Sequence, residues 1–582
     1  MKHAPRFAPL AACLGAVALS PAAFAVSQAP LESTQGMVVS AQYLASDVGA
    51  AILRQGGNAI DAAVAVGYAL AVTHPVAGNL GGGGFMTIHL ASGRDTFINF
   101  REKAPLGATR DMYLDVAGNP VPSRSLKGWL AAGVPGTVLG LETARQEYGT
   151  LPREALITPA IELAERGFVL NQGDTDDFDH KNSRFAAEPN VAAIFLHDGR
   201  YYQPGERLVQ HQLAATLRLI RDGGSDAFYR GPIAAAVADA SAAHGGILTR
   251  ADFAAYKVSE SAPVSCRYRG LDIVSAPPPS SGGVVLCQML EVLEAYPLQD
   301  YGFHSSAEVH VMAEAMRSAF YDRNTTLGDP AFVQNPIERL LSPAHVAEIR
   351  TRIRPGHAGN SAALGKAGGS AEKRHTTHYS VVDRLGNAVS VTYTLNDDFG
   401  AEVIAGDTGF FLNDEMDDFS AKPGASNLYG LVEGEANSIA PGKQPLSSMT
   451  PTIVLQDGKP VLVLGTPGGS RIITTILEVL INVIDHGMTL QEAVDAPRFH
   501  QQWLPDNIGV ERFALSADTA AALSRMGYRI VPLEDFGSGN AVAIIGIAPR
   551  DPAAGRSLGF PRPGVLYGAA DPRAPAGTPA AP

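Results

Sequence analysis

One stretch decides the fold: Thr376-Thr377-His378-Tyr379-Ser380-Val381-Val382-Asp383, Arg384-Leu385-Gly386, and Asn387-Ala388-Val389-Ser390-Val391-Thr392-Tyr393-Thr394. Two segments rich in β-branched residues, joined by a three-residue loop, predict a β-hairpin, and Gly386 suits the left-handed position of such a loop. Pairing Asp383 with Asn387 places Thr394 directly across from Thr376. Opposed side chains lie about 5 Å apart at Cβ, so two hydroxyls there can hydrogen-bond. On these residues alone, two ordinary strand threonines are the simpler interpretation.

The segment before Thr376 has an unusual composition. Residues 355–371 are almost all Gly, Ala, Ser and Pro with scattered Lys and His, which predicts a flexible segment that we extend to about residue 375. A linker is one interpretation. A flexible segment that ends at a strand-opening threonine also resembles the N-terminal nucleophile hydrolases, in which the threonine hydroxyl attacks its own preceding carbonyl and the chain breaks. The new α-amine has a pKa near 8 and serves as the general base for that hydroxyl.

A second turn precedes a predicted helix further along the chain. The sequence Gly465-Thr466-Pro467-Gly468-Gly469-Ser470 follows a predicted hairpin (452–455 and 461–464) and leads into an apolar helix over 472–484. Two glycines before a helix leave backbone N–H groups available to converge on an anion. In an acyl-transfer enzyme this arrangement is an oxyanion hole, and a simple tight turn is the alternative.

A run of four glycines in the N-terminal half does not have the pattern of a phosphate-binding loop. The four glycines at 81–84 lack the G-x-G-x-x-G spacing, and strands near 85–90 and 96–100 follow them where a helix would have to begin. The apolar stretch 59–78 contains Asp61 and His74, with Asn58 as a plausible N-cap and Pro75 as its end. We expect it to be a buried helix rather than a membrane span.

Composition excludes several classes of protein. The chain has 582 residues, is 46% hydrophobic and 18% charged, and carries a formal net charge of −13, which is the balance of a globular protein. It has no dense Lys/Arg block, so we do not expect nucleic acid as a partner. A Pro/Ala/Gly-rich tail from about residue 574 predicts a disordered end.

The first 25 residues have the pattern of an export signal. Lys2 and Arg6 precede an apolar segment, and Ala23-Phe24-Ala25 fits the small-x-small rule for cleavage after Ala25. A lipoprotein-like motif at Cys13 is a weaker alternative, because the apolar run continues past it. The expected location is the periplasm or the exterior. Removal of the signal leaves Cys266 and Cys287, for which one disulfide is possible but not required.

Eleven motifs, taken together, resemble the γ-glutamyltransferases (γ-glutamyltranspeptidases, glutathione hydrolases) over nearly the whole mature chain. They are GNAIDAA (57–63), GGGGF (81–85), FRE (100–102), PPPSSGG (277–283), TTHYSVVD (376–383), MDDFS (416–420), PLSSM (445–449), PGGSR (467–471), APR (496–498), YG (567–568) and DPR (571–573). The resemblance implies a four-layer αββα sandwich of the N-terminal nucleophile class. It also implies autocleavage into a large subunit (26–375) and a small catalytic subunit (376–582), which together form a heterodimer.

The resemblance also assigns site residues. Thr376 is the expected nucleophile and cleavage point, Thr394 its hydrogen-bond partner, and Gly468 and Gly469 the oxyanion hole. The expected substrate-binding residues are Arg101, Ser447 and Ser448 for the α-carboxylate, Asp418 with Glu415 and Asn396 for the α-ammonium, and Tyr429 in a lid loop over 423–434. His378 is expected to be structural because the α-amine already acts as the base. Where some relatives carry Gln, this chain has Glu415.

The implied reaction transfers the γ-glutamyl group of glutathione or a related compound to water, an amino acid or a dipeptide. No cofactor and no catalytic metal are expected, since no His/Cys cluster has metal-ligand spacing. Two alternatives remain open. One is a cephalosporin (glutaryl) acylase of the same fold, although such relatives tend to lose the lid and the ammonium-binding acid. The other is an exported, non-catalytic binding protein.

Overall fold

The hairpin predicted at 376–394 lies at the centre of a seven-stranded antiparallel sheet. This computed structural model describes residues 27–179, 185–365, 376–533, 542–549 and 558–582. The predicted signal peptide and residues 366–375 of the predicted flexible segment lie outside the described residues. Within that segment, residues 355–365 contain a turn and a one-turn helix.

The strands are β1 (Leu31–Ser33), β2 (Gly36–Ser40), β3 (Gly83–His89), β4 (Asp95–Phe100), β5 (Phe168–Val169), β6 (Leu196–His197), β7 (Arg200–Tyr201), β8 (Arg207–Leu208), β9 (Ser259–Ser261), β10 (Val264–Tyr268), β11 (Leu271–Ser275), β12 (Thr377–Asp383), β13 (Ala388–Thr394), β14 (Thr452–Gln456), β15 (Lys459–Gly465), β16 (Phe499–His500), β17 (Ile508–Val510), β18 (Ile530–Pro532), β19 (Ala543–Ile547), β20 (Leu566–Ala570) and β21 (Thr578–Ala580).

The helices are α1 (Tyr43–Arg54), α2 (Ala59–Thr73), α3 (Pro122–Leu126), α4 (Thr137–Tyr148), α5 (Arg153–Arg166), α6 (Gln172–Asp179), α7 (Pro189–Phe195), α8 (His211–Gly223), α9 (Ser225–Tyr229), α10 (Pro232–Ala243), α11 (Arg250–Ala255), α12 (Gly282–Leu293), α13 (Leu298–Tyr301), α14 (Ser306–Thr326), α15 (Ile337–Leu340), α16 (Pro343–Arg352), α17 (Ser361–Leu364), α18 (Arg471–Ile484), α19 (Leu490–Asp495) and α20 (Ala517–Met526).

Two large sheets stack face to face. In the described residues one has the strand order β21-β2-β12-β13-β3-β4-β9 and the other β1-β20-β19-β15-β14-β11-β10. Side chains along each strand point alternately toward the other sheet and toward the covering helices. Met37, Val39 and Val382 point between the sheets, where they pack against Ile453 and Val463 of the second sheet. This two-residue period is what a strand that is buried on both faces requires.

Helices cover the outer face of each sheet. Val38 and Val381 point away from the second sheet into a cluster formed with α2, α4, α5 and α8. On the opposite side, α12, α14 and α18 pack against the outward side chains of β14 and β15. The four layers confirm the predicted αββα sandwich.

Helix α2 lies in the interior. All of its residues are buried, and Asn58 caps it by accepting hydrogen bonds from the Ile60 and Asp61 amides. This confirms the buried helix and its N-cap. Among the described residues, none of the helices combines the length and the apolar character that a membrane-spanning segment needs.

The C-terminal tail is ordered, which contradicts the predicted disorder from residue 574. Thr578–Ala580 form β21, which pairs with β2 at the edge of the first sheet. The tail gains order from the backbone partners that β2 offers, and these partners are not visible in its own composition.

The two remaining cysteines form a disulfide. Cys266 on β10 is bonded to Cys287 on α12, so the covalent link ties an edge strand to the helix that covers it. The structure therefore decides the question that the sequence left open.

Candidate active site

Thr376 stands immediately before β12, at the end of the central hairpin. Thr377 pairs with Tyr393 and Gly386 has a φ of 95°, so the predicted register and loop are confirmed. Thr376 therefore faces Thr394 across the hairpin, and both are buried. The Thr394 hydroxyl oxygen accepts a hydrogen bond of 2.9 Å from the Asn396 amide, which fixes its position in the turn after β13.

Gly468 and Gly469 occupy the turn between β15 and α18, as predicted. Their φ angles are +125° and +57°, in the region that favours glycine. Neither amide donates a hydrogen bond to another residue in the described part of the chain. Two backbone donors thus lie at the start of a helix, where the helix dipole favours negative charge.

A single pocket gathers these elements. Ten of the eleven predicted site residues line it, and Gly468 is the exception. The predicted residues in it are Arg101, Thr376, Thr394, Asn396, Glu415, Asp418, Tyr429, Ser447, Ser448 and Gly469, and the further ones are Arg323, Leu431, Met449 and Ile472. Residues separated by more than 300 positions in the chain therefore converge on Thr376.

Arg101 is the central charge of the pocket. It is 1% exposed and forms ion pairs with Glu415 and Asp418, while Glu102 lies 3.7 Å away. Burial opposes the charged guanidinium, but the carboxylates of Glu415 and Asp418 outweigh it and raise the pKa of Arg101. Three carboxyl groups thus surround one guanidinium, and the two that line the pocket, Glu415 and Asp418, can bind a ligand cation.

Burial raises the pKa of both glutamates beside Arg101, Glu102 and Glu415. Neither oxygen of Glu102 has a hydrogen-bond donor among the described residues, and burial raises the pKa of Glu102 to about 7. Burial also raises the pKa of Glu415 well above its ordinary value. Burial therefore works against the charged form of both glutamates.

Two neighbouring serines, Ser447 and Ser448, also line the pocket. The Ser447 hydroxyl accepts a hydrogen bond of 3.1 Å from the Met449 amide, and the Ser448 hydroxyl accepts one of 3.1 Å from Arg323. Sequence reasoning missed Arg323. An arginine within a long helix such as α14 is typical of a solvated face, and nothing local indicates that this one is buried.

The family assignment follows from comparison with known proteins. The family model described as gamma-glutamyltranspeptidase matches residues 45–580. The chain belongs to the gamma-glutamyltranspeptidase family. The resemblance predicted from the motifs is thereby confirmed.

Individual relatives agree with the family model. A glutathione hydrolase proenzyme of Pseudomonas sp. (strain A14) is 56% identical over 562 residues, covering 96% of this chain and 96% of that protein. A glutathione hydrolase proenzyme of Escherichia coli (strain K12) is 48% identical, covering 94% of this chain and 91% of that protein. Among solved structures, a cephalosporin acylase from Bacillus halodurans has a TM-score of 0.81 at 27% identity, covering 97% of this chain and 99% of that one. These matches support the N-terminal nucleophile fold of the family.

In this member of the family the loop 423–434 folds as a turn, closed by an antiparallel bridge between Ser426 and Val432, and contributes Tyr429 and Leu431 to the pocket lining. The Tyr429 hydroxyl donates to both the backbone oxygen and the side-chain oxygen of Asn396, at 2.9 and 2.8 Å. Tyr429 is buried and contacts Gly469. This is the placement expected of a lid.

His378 lies between the sheets, away from the pocket lining. Its ring nitrogens contact the hydroxyls of Thr392 and Ser380 at 2.8 and 3.0 Å, and burial lowers its pKa to about 3. A neutral imidazole held by two strand hydroxyls supports the prediction that His378 is structural.

Proposed function

We propose that this chain is an autoprocessed γ-glutamyltransferase and glutathione hydrolase with Thr376 as its nucleophile. The observation that carries the proposal is the shared pocket. Its lining includes a threonine at the start of a strand, Gly469, and a group of charged and hydroxyl side chains suited to an amino-acid head group, which supports the proposal.

Maturation uses the same hydroxyl as catalysis. The Thr376 Oγ attacks the carbonyl carbon of residue 375, the peptide bond shifts to an ester, and water hydrolyses that ester. The products are a large subunit ending at 375 and a small subunit beginning with a free Thr376 α-amine, which remain together as a heterodimer. The sandwich supports this, because each sheet contains hydrogen-bonded strands from both parts of the chain.

Recognition of the γ-glutamyl donor pairs each of its charges. The α-carboxylate accepts hydrogen bonds from Ser447 and Ser448. It also forms an ion pair with the Arg101 guanidinium, whose planar fork of N–H groups suits a carboxylate. The α-ammonium binds Asp418, with Glu415 and Asn396 beside it. Because Arg101 already faces three carboxyl groups, a zwitterionic head group can exchange these ion pairs without leaving a buried charge unpaired.

Turnover is a two-step acyl transfer. The Thr376 α-amine takes the hydroxyl proton while Oγ attacks the γ-carbonyl carbon, and Thr394 positions the hydroxyl. The Gly468 and Gly469 amides bind the oxyanion, the amine product leaves with the proton, and a γ-glutamyl ester remains. Water, or the amino group of an amino acid or dipeptide, then attacks this ester and regenerates Thr376.

The N-terminal segment completes the proposal. A positively charged start followed by an apolar segment and an Ala-x-Ala site supports export with cleavage after Ala25, to the periplasm or beyond.

Lid residue Tyr429 and the acid Asp418 line the pocket, which favours a γ-glutamyl donor over a glutaryl one.

The test is a comparison of donors. We expect the mature protein to hydrolyse γ-glutamyl-p-nitroanilide with a much higher kcat/KM than glutaryl-p-nitroanilide, which keeps the carboxylate but lacks the ammonium. Addition of a dipeptide acceptor should increase p-nitroaniline release and yield a γ-glutamyl dipeptide. Preference for the glutaryl substrate would indicate an acylase, and mature protein without turnover of either would indicate a binding protein.

A further inference from the structure

Arg323 is a fully buried arginine that lines the pocket and has no role in the scheme above. It is 1% exposed, near the end of α14. Its Nε donates to the Ser281 hydroxyl at 2.9 Å, one Nη donates to Ser448 Oγ, and the other pairs with Glu433. One guanidinium thus joins three separate parts of the pocket wall.

The bond from Arg323 decides what the Ser448 hydroxyl can do. A hydroxyl has one proton to donate and two lone pairs that accept. Because an Arg323 N–H donates to one lone pair of the Ser448 oxygen, the Ser448 proton has to point away from Arg323. It has no acceptor among the described residues, and Ser448 lines the pocket. Ser448 is therefore oriented as a donor toward a ligand.

The neighbouring serine is arranged in the same way. The Met449 amide donates to the Ser447 hydroxyl oxygen, so this proton is also left for a ligand. Ser281 holds the backbone of this serine pair, because its amide and hydroxyl both donate to the Ser447 carbonyl, at 2.8 and 2.7 Å. Arg323 in turn donates to Ser281, so the PPPSSGG motif becomes part of the support for the serine pair.

Charge argues against a direct ion pair between Arg323 and the substrate. Its guanidinium already pairs with the buried carboxylate of Glu433, which also accepts a hydrogen bond from Asn437. Because Glu433 already balances its charge, Arg323 orients its hydrogen-bond partners and does not attract the substrate carboxylate by net charge. Its planar fork of N–H groups is rigid enough to set several oxygen atoms at once.

We propose that Arg323 is a positioning residue that fixes the Ser448 hydroxyl as a donor to the α-carboxylate of the γ-glutamyl group. The inference rests on the proposed function, since it assigns a further residue to that donor site. It makes the Arg323–Ser448 bond a determinant of specificity for donors that carry an α-carboxylate.

The test uses a variant that removes the whole buried ion pair, Arg323→Met/Glu433→Gln, so that no carboxylate is left stranded. Two substrates are compared: γ-glutamyl-p-nitroanilide and 4-aminobutyryl-p-nitroanilide, which lacks the α-carboxylate. We expect kcat/KM for the first to fall about 10- to 100-fold, mainly through KM, and that for the second to change less than about twofold. In a double-mutant cycle, adding Ser448→Ala to the Arg323 variant should lower kcat/KM by less than the product of the two separate losses.

The matched control is Arg498→Met/Asp571→Asn, an equally buried Arg–Asp pair outside the pocket lining. It should leave the preference between the two substrates unchanged. Equal losses on both substrates in the Arg323 variant, or losses that multiply with those of Ser448→Ala, would overturn the inference. Failure of that variant to mature when the control matures would also overturn it, since a role in the mature pocket leaves chain cleavage intact. A wild-type protein inactive on γ-glutamyl-p-nitroanilide would instead refute the proposed function.

Discussion

The ring of Tyr429 lies directly on Gly469, where a Cβ atom would come within 2.2 Å of a ring carbon. The hydroxyl of the same tyrosine is held by Asn396, in the turn after β13. The lid and the glycine turn are therefore in contact, and the position of one constrains the other. Any side chain at residue 469 has to displace the lid.

The first prediction concerns this contact. We expect Gly469→Ala to lower kcat/KM by about 100-fold or more, because the new methyl group displaces Tyr429 and shifts an amide that we propose for the oxyanion hole. Steady-state hydrolysis of γ-glutamyl-p-nitroanilide measures the effect. Gly458→Ala is the matched control, since Gly458 also has a positive φ, of 70°, but no atom lies within 4 Å of its Cβ position. Full activity of Gly469→Ala would show that the turn does not act in catalysis.

The second prediction concerns the ammonium site. Asp418→Asn keeps the size of the side chain but removes the charge that we propose pairs with the donor's ammonium. We expect kcat/KM for γ-glutamyl-p-nitroanilide to fall about 100-fold, and that for glutaryl-p-nitroanilide, which has no ammonium, to fall far less or to rise. A parallel loss on both substrates would mean that Asp418 only supports Arg101.

The hairpin, the glycine turn and the buried helix could be predicted from sequence because each depends on local rules. A two-residue period and a loop glycine set the register of Thr376 against Thr394, and Asn58 marks the start of α2. The charged residues were found through motifs that resemble the family, since Arg101 and Asp418 are 317 positions apart and no local pattern brings them together.

Other features depend on tertiary context and were missed. The burial of Arg323 results from packing of α14 against the serine segment and the lid, none of which affects the local pattern around it. The strand at 578–580 takes its hydrogen bonds from β2, at the other end of the chain. The close approach of Glu102 and Glu415 to Arg101 is likewise a result of the folded arrangement.

The third prediction concerns pH and the lid. The Asp417 carboxylate accepts hydrogen bonds from the Ser125 hydroxyl at 2.6 Å and from the lid amide of Leu428 at 2.9 Å, and burial raises its pKa to about 6. Because the pKa is about 4 in an unfolded chain, the folded state binds the proton more tightly, and stability falls as the pH rises from about 4 to about 6.

Asp417→Asn does not ionise and escapes this loss. Relative to wild type, the variant should gain about 1 to 3 kcal/mol of stability between pH 4 and pH 8. Melting temperatures of both proteins at the two pH values measure the difference. A difference in melting temperature that is the same at pH 4 and pH 8 would contradict the assignment of the raised pKa to Asp417.

The fourth prediction concerns the disulfide. Cys266 and Cys287 close a loop with a sequence separation of 21, so removing the bond should cost about 3 kcal/mol of stability through the added freedom of the unfolded chain. Cys266→Ala/Cys287→Ala should melt at a lower temperature with unchanged kcat/KM, because neither cysteine lines the pocket. Wild-type protein whose melting temperature does not respond to a reducing agent would show that the bond does not contribute.

The fifth prediction tests the central claim most directly: the intact mass of purified mature protein. The account predicts two chains, residues 26–375 and 376–582, the second with Thr376 at its amino terminus. It also predicts a single uncleaved chain for Thr376→Ala. Mature, active wild-type protein that remains one chain, or a Thr376→Ala protein that is still cleaved before residue 376, would contradict it.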